Sequence, residues 1–270
     1  MCTPFSSSLL ASQMKELGMH NGPIDYGLTR DAKDKILEIF RLSKNLTAVY
    51  LLGGEPFSND FHDEILDVLV NHPNKSNIMI HYNTNMQGSK YTKYLDKFNG
   101  FKLIDMQASI DGSDEVYDYI RWPGKWTKLV RNLQKTLEVG GNIKTGACVT
   151  VQALNAENIP KLVNSLFEIN KGTFPLFFIP ITGDCQLNLA PKRVLEQAIK
   201  DVEAIQFEHK QTKHNLITMY KEALDNEPDI RVIETFFRKQ KSFDSFRNQN
   251  LFDTLPYMLE SAERWGIETW

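Results

Sequence analysis

Cysteine is scarce in this chain: Cys2, Cys148 and Cys185 are the only three in 270 residues. So few and so scattered, they exclude a disulfide framework, and a reducing, cytoplasmic setting is the expectation. Long apolar runs are missing as well. No segment approaches the ~18 apolar residues of a membrane-crossing helix, and no signal-peptide pattern is present. A basic excess is lacking: 31 Lys and Arg against 34 Asp and Glu give a net charge of −3. No global field therefore draws the chain to nucleic acid. The histidines, His62, His72 and His81 among them, show no metal-ligand spacing, which argues against a metallohydrolase. What remains is ordinary globular composition, 41% hydrophobic and 24% charged, long enough to build a core without staples. One large domain, or one domain with an extension, fits that length.

The hydrophobic period alternates along the chain. Short β-rich runs occur at 46–52, 77–83, 101–110, 143–154 and 173–181. Helical spacing follows each of them, at 61–72, 90–98, 125–141, 159–170 and 191–207. Gly140-Gly141 provides a C-terminal stop for the third helix, and Pro160 fits the first turn of the fourth. Five strand-then-helix units in succession imply parallel strands with crossover helices, hence an α/β sheet or partial barrel. Before the first strand there is only helical material, an opening helix and residues 31–45, as though a first unit were present without its strand. After about residue 209 the pattern loosens into helices at 213–226 and around Pro256. The organisation expected is a barrel-like domain over 1–208 and a mainly helical extension over 209–270.

Small and polar residues gather just past the strands: Gly53-Gly54-Glu55-Pro56, then Asn83-Thr84-Asn85, Ser109-Ile110-Asp111-Gly112, and Gln152 to Asn155. In parallel α/β folds ligands bind at that edge, because loops converge there and helix N-termini point at it. Each segment also has a plain structural reading. Gly53-Gly54-Glu55-Pro56 makes a tight turn, Asp111-Gly112 a turn before a helix, and Asn85 and Asn155 suit caps. Arg121 fits a surface position, and Trp122 and Trp126 fit packing.

Taken in order, these segments resemble the radical S-adenosylmethionine (radical SAM) superfamily, in its branch with SPASM or shortened twitch C-terminal regions. Gly-Gly-Glu-Pro at 53–56, Thr84-Asn85, Ser-Ile-Asp-Gly at 109–112, the stretch from Tyr117 through Arg121 to Leu133, and the run from Val149 to Leu162 carry the resemblance. It implies a partial (β/α)6 barrel whose first strand is followed by a loop with three cysteines. Those thiolates hold a [4Fe–4S] cluster, and S-adenosyl-L-methionine chelates its fourth iron. Met1 to Ser8 resemble the end of that loop, with Cys2 as the third cysteine, so the first strand and two cysteines are expected upstream. One thiolate cannot hold a cubane that needs three. Cys148, inside a strand, is expected to be a buried small hydrophobe, and Cys185 is not at a cluster position. With no cysteine beyond Cys185, an auxiliary cluster is not expected.

The resemblance also implies roles. Gly53 and Gly54 would meet the SAM amino group, with Glu55 and Pro56 shaping that loop. Ser109 and Arg121 would bind the SAM carboxylate, and Asn85, Asp111, Gln152 and Asn155 would line the ribose or its neighbourhood. The implied activity is reductive cleavage of SAM to a 5′-deoxyadenosyl radical that abstracts hydrogen from a small-molecule or peptide substrate. A flavodoxin or ferredoxin would donate the electron. Two other readings stay open: a SAM-binding or interaction remnant that has lost the cluster, and an ordinary (β/α) lyase or hydrolase with Glu55 and Asp111 as acid and base. In the extension, Asp244, Arg247 and Trp265 fit either a cover over a substrate mouth or packing.

Overall fold

The computed structural model describes residues 7–24, 27–88, 90–181 and 183–270. Helices α1 (Ser8–Glu16) and α2 (Arg30–Leu42) come first. Then strands and helices alternate: β1 (Ala48–Leu51), α3 (Asp60–Val70), β2 (Met79–Thr84), α4 (Tyr91–Leu95), β3 (Leu103–Ser109), α5 (Asp114–Ile120), α6 (Trp126–Val139), β4 (Ile143–Val151), α7 (Ile159–Asn170), β5 (Leu176–Pro180) and α8 (Lys192–Ala204). Four helices complete the chain: α9 (Lys210–Asp225), α10 (Ile230–Arg247), α11 (Leu251–Thr254) and α12 (Tyr257–Arg264). The fold is therefore mixed α/β. Its five parallel strands run in chain order, β1-β2-β3-β4-β5. Among the described residues no helix is long and apolar enough to cross a membrane.

Two compact units divide the chain. One joins Lys128–Gly146 to the chain up to Ser109; the other comprises Ile110–Thr127 and Ala147–Trp270. In the first unit, alternation in the strands sends Val49, Ile80, Tyr82, Ile104 and Met106 to one face, where all are buried. They meet Phe61, Ile65, Leu66 and Leu69 of α3, Phe98, and Leu129 and Leu133 of α6 in a shared apolar core. Phe57 lies at its centre, stacked on Tyr82 at 5.0 Å and edge-on to Tyr91 at 4.9 Å. Capping fixes where the helices start: Thr29 Oγ1 accepts from the Ala32 amide, and Asn59 Oδ1 accepts from the Phe61 amide.

His62 belongs to this core rather than to any metal site. It is 3% exposed and shares a hydrogen bond with the Tyr82 hydroxyl at 3.0 Å. Burial holds its pKa down to about 4. The unfolded chain takes up that proton near the ordinary value of about 6.5. Between those values the unfolded state binds more protons, so stability is complete above the upper one and declines as pH falls toward the lower. The loss expected is on the order of 3 kcal/mol. Urea denaturation of the His62→Phe variant checks this: its stability should fall less steeply over that window than that of the parent.

In the second unit α7 and α8 flank β4 and β5, burying Val149, Val151, Leu162, Val163, Leu166, Leu195 and Val202. Two buried tyrosines tie later helices to the backbone beyond β4: Tyr220 of α9 donates to the Ala156 carbonyl and Tyr257 of α12 to the Ala153 carbonyl, both at 2.7 Å. The whole of 209–270 beyond β5 and α8 is helical or connecting chain. Helix α10 is the element that local sequence pattern does not reveal. Its stretch Ile230-Arg-Val-Ile-Glu-Thr-Phe-Phe is rich in β-branched and aromatic residues, yet Ile233, Phe236, Phe237, Gln240 and Asp244 fall on one buried helical face, begun by the Asp229 cap.

Candidate functional site

The loops at the C-terminal ends of the strands form two groups of contacts, one in each unit. In the first, Gly53 and Gly54 follow β1 in left-handed conformations, φ +87° and +60°. A side chain is disfavoured there by the backbone, although a Cβ at either position would have nothing within 4 Å. The Glu55 carboxylate then fastens this bend to the next loop. One oxygen accepts from Thr84 Oγ1 at 2.7 Å and from the Phe57 amide at 3.3 Å; the other accepts from the Asn85 amide at 2.7 Å. Pro56 begins a single tight turn behind it, and both Pro56 and Phe57 are buried.

The loop after β2 is equally determined. Asn85 Oδ1 accepts from the Gln87 amide at 2.7 Å, and Thr84 Oγ1 accepts from the Met86 amide at 2.9 Å. Met86 takes φ +53°, and its carbonyl accepts from buried Asn132 of α6 at 2.6 Å. Ser109 closes β3, half-buried, two register positions past the pairing of Gln107 with Asn83. Glu55 and Asn85 are thus brought together, and Thr84 joins them as the third member. In the sequence Thr84 stands in its segment with no role of its own. A threonine at a strand end beside two asparagines was the available signal.

In the second unit Asp111, Arg121, Gln152 and Asn155 meet. Asp111 is 4% exposed; it pairs with Arg121 Nη2 at 2.8 Å and accepts from the Thr150 amide at 2.8 Å. Two residues expected to contact different parts of a ligand therefore contact each other. Asn155, fully buried, donates to the carbonyls of Asp111 (2.9 Å) and Thr150 (2.8 Å) and accepts from the Gln152 amide at 2.9 Å. Its side chain locks the turn after β4 against the loop after β3. Asn158 does the same one turn on, accepting from the Ser113 amide at 2.7 Å. The lyase or hydrolase reading loses its footing here. Both oxygens of Asp111 and of Glu55 hold structural donors, whereas a general acid or base needs one facing its substrate.

The thiols do not suit an iron–sulfur cluster. Cys2 lies outside the described residues. Cys185 is buried beside the turn after β4, where its carbonyl accepts from the Ala153 amide. Burial pushes its thiol up to about 12, and burial likewise raises that of Cys148, so neither is a thiolate at neutral pH. Cys148 sits in β4 half-buried rather than buried as expected, because its side of the strand is less covered than that of Val149. Among the described residues no three His, Cys, Asp or Glu side chains come together as a metal site.

In the helical segment Asp244 and Arg247 are packing groups. Asp244 is 2% exposed, and the Arg247 guanidinium lies over the rings of Phe243 (4.5 Å) and Trp122 (5.4 Å). Trp265 carries Arg264 over its ring at 4.6 Å. Trp122 meets Phe246 at 6.1 Å and Trp126 meets Tyr117 at 5.8 Å, so both tryptophans near Arg121 serve packing.

No family model and no curated protein matches this chain. Solved structures to which it is similar include the following three. Native anSMEcpe with bound AdoMet is 17% identical with a TM-score of 0.46 over 66% of this chain and 51% of that one. Polyhistidine-tagged anSMEcpe with bound AdoMet is 19% identical with a TM-score of 0.47, over 65% and 49%. Native anSMEcpe with bound AdoMet and the Cp18Cys peptide is 18% identical with a TM-score of 0.46, over 65% and 52%. The chain spans about half the length of those structures.

Proposed function

We propose that this chain is a radical SAM-type protein that binds S-adenosylmethionine at the strand-end loops of its first unit. The observation that carries the reading is the Glu55 clamp. A Gly-Gly-Glu-Pro bend with two left-handed glycines is held to the Thr84-Asn85 loop by both oxygens of one carboxylate, in the order the superfamily uses. Gly53 and Gly54 would offer backbone groups to the SAM amino group, with no side chain to block approach. Ser109 would reach the carboxylate, and Asn85 the ribose. Asp111, Arg121, Gln152 and Asn155 would shape the neighbouring loops of the second unit, and residues 209–270 would be a cluster-free extension of the barrel-derived part over 1–208.

Only with three cluster thiolates would the protein have the activity that the resemblance implies, cleavage of SAM to a 5′-deoxyadenosyl radical with an electron from a flavodoxin or ferredoxin. Cys2 would be one of the three ligands. A second reading is a SAM-binding remnant without redox chemistry, in keeping with the burial of Cys185 and the strand position of Cys148 away from the cluster loop. Both readings place SAM at the same loops and in a cytoplasmic protein.

Calorimetric titration with SAM tests what they share. Saturable binding at one site is expected, weakened about tenfold by Gly54→Ala, since an alanine at a left-handed position costs about 1–2 kcal/mol and shifts the bend. Circular dichroism establishes that the variant is folded. A folded parent chain that takes up no SAM, or an alanine variant of unchanged affinity, overturns the proposal.

A further inference from the structure

Helix α6 buries a polar row on the face that packs into the first unit's core. Asn132 and Thr136 are 4% and 1% exposed, beside Leu129 and Leu133, and half-buried Lys128 stands one turn before them. Their spacing of four sets the three side chains in line along the helix. Burying polar groups among apolar ones costs free energy unless each is hydrogen-bonded, and each of these has a defined partner. Thr136 Oγ1 meets the Tyr91 hydroxyl at 2.6 Å and donates to the Asn132 carbonyl at 2.8 Å. Asn132 Nδ2 donates to the Met86 carbonyl at 2.6 Å, and Lys128 Nζ donates to the next carbonyl, that of Gln87, at 2.5 Å. Two side chains one turn apart thus hold two consecutive carbonyls of the loop after β2.

The backbone they hold is strained. Met86 is fully buried at φ +53°, a left-handed conformation that a side chain disfavours and that persists only where the surroundings over-determine it. The same bend brings the Gln87 amide onto Asn85 Oδ1 at 2.7 Å. A backbone N–H only donates, so Oδ1 is the accepting end of the Asn85 amide and Nδ2 is the end left to meet a ligand. Gly88 bounds the loop on its other side. A Cβ there would stand 2.8 Å from both the Cβ and the carbonyl oxygen of Phe57, closer than packed atoms approach. The loop has no room to move toward the Gly-Gly-Glu-Pro bend, and what keeps it from moving away comes from α6.

We propose that Asn132 and Lys128 are positioning residues of the SAM site: by holding the Met86 and Gln87 carbonyls they keep Asn85 turned so that its NH2 group donates to a ribose oxygen. The identity of the ligand rests on the radical SAM reading, whereas the hold of α6 on the loop does not. Neither residue touches the ligand. Asn132 sets the left-handed bend at Met86, and Lys128 fixes the peptide that follows Gln87. Thr136 and Tyr91 steady the turn of α6 from which Asn132 reaches.

Calorimetric titration of the full chain with SAM, paired with NMR of the Asn85 side-chain amide in isotope-labelled protein, tests this. Asn132→Ala should weaken SAM binding about tenfold, and Lys128→Met by a smaller factor. In both variants the Asn85 amide signal of the ligand-free protein should shift or double, a change that lost packing elsewhere on α6 would not produce. Lys128→Arg keeps a donor and should restore both the affinity and the signal. Arg131→Ala, exposed on the same helix, is the control and should alter neither. Lys128 is half-buried, so Lys128→Met and its arginine counterpart carry the test if Asn132→Ala does not fold. A parent that takes up SAM while both variants bind it equally well, or leave the Asn85 signal unmoved, would overturn the proposal. A parent that takes up no SAM fails the radical SAM reading by itself. The Asn85 signal, read without ligand, then decides the hold of α6 on the loop, and an unmoved signal overturns it.

Discussion

Asp111→Ala is expected to destabilise the protein by about 3–5 kcal/mol, the range for removing one partner of a buried ion pair. The carboxylate is 4% exposed, holds Arg121 Nη2 at 2.8 Å and accepts the Thr150 amide at 2.8 Å. Taking it away removes the buried carboxylate that Arg121 pairs with and the acceptor of the Thr150 amide. The effect should appear as a lower urea midpoint with an unchanged slope. Asp111→Asn should cost less, because its carbonyl can still accept from Thr150. Replacing both partners, Asp111→Ala with Arg121→Met, should recover part of the loss, since removing both charges relieves the desolvation that the single change leaves uncompensated. A double variant less stable than Asp111→Ala would contradict this account of the pair.

Asp244→Ala is expected to be of similar size, about 3 kcal/mol or more, for a different reason. Here hydrogen bonds carry the loss. The carboxylate, 2% exposed, accepts from the Tyr119 hydroxyl at 2.8 Å, the Leu251 amide at 2.6 Å and Trp270 Nε1 at 3.0 Å. These three donors come from α5, from the start of α11 and from the last residue of the sequence, so one side chain joins three separated parts of the second unit. Removing it takes the acceptor from the Leu251 amide and from Trp270 Nε1, and leaves the Tyr119 hydroxyl with Gln240 Oε1 at 3.2 Å. Asp244→Asn keeps one accepting oxygen and should lose about half as much stability as the alanine variant. Tryptophan fluorescence adds a readout beyond stability, because Trp270 should become more solvent-exposed in the alanine variant while the parent keeps it against Phe252, 4.8 Å away.

How much of this is legible in the sequence depends on the kind of order involved. The five strands and their following helices are readable because apolar residues recur at two different periods, and those periods survive without knowledge of any partner. The helix at Ile159–Asn170 matches its expected span, and α6 stops ahead of Gly140 as the two glycines implied. Helix α10 is hidden because Val232, Ile233, Thr235, Phe236 and Phe237 read locally as strand formers, and only tertiary packing chooses the helical face. The strand-end residues are found by position, but their partners are not. Nothing in the sequence says that Glu55 reaches Thr84 or that Asp111 holds Arg121, because both contacts join segments that only the folded chain brings near. Lys128 and Asn132 escape notice for the same reason. Each is an ordinary polar residue of a helix, and only the folded chain sets both against the loop after β2.

Hydrogen exchange with and without saturating S-adenosylmethionine tests the central claim most directly, because it reads where the ligand sits as well as whether it binds. Added protection is predicted in the amides of Gly53 to Phe57 and of Asn85 to Gln87, the two loops that Glu55 fastens together, with little change in α9 to α12. Unchanged exchange in those loops at saturation, or protection confined to another part of the chain, would contradict the claim.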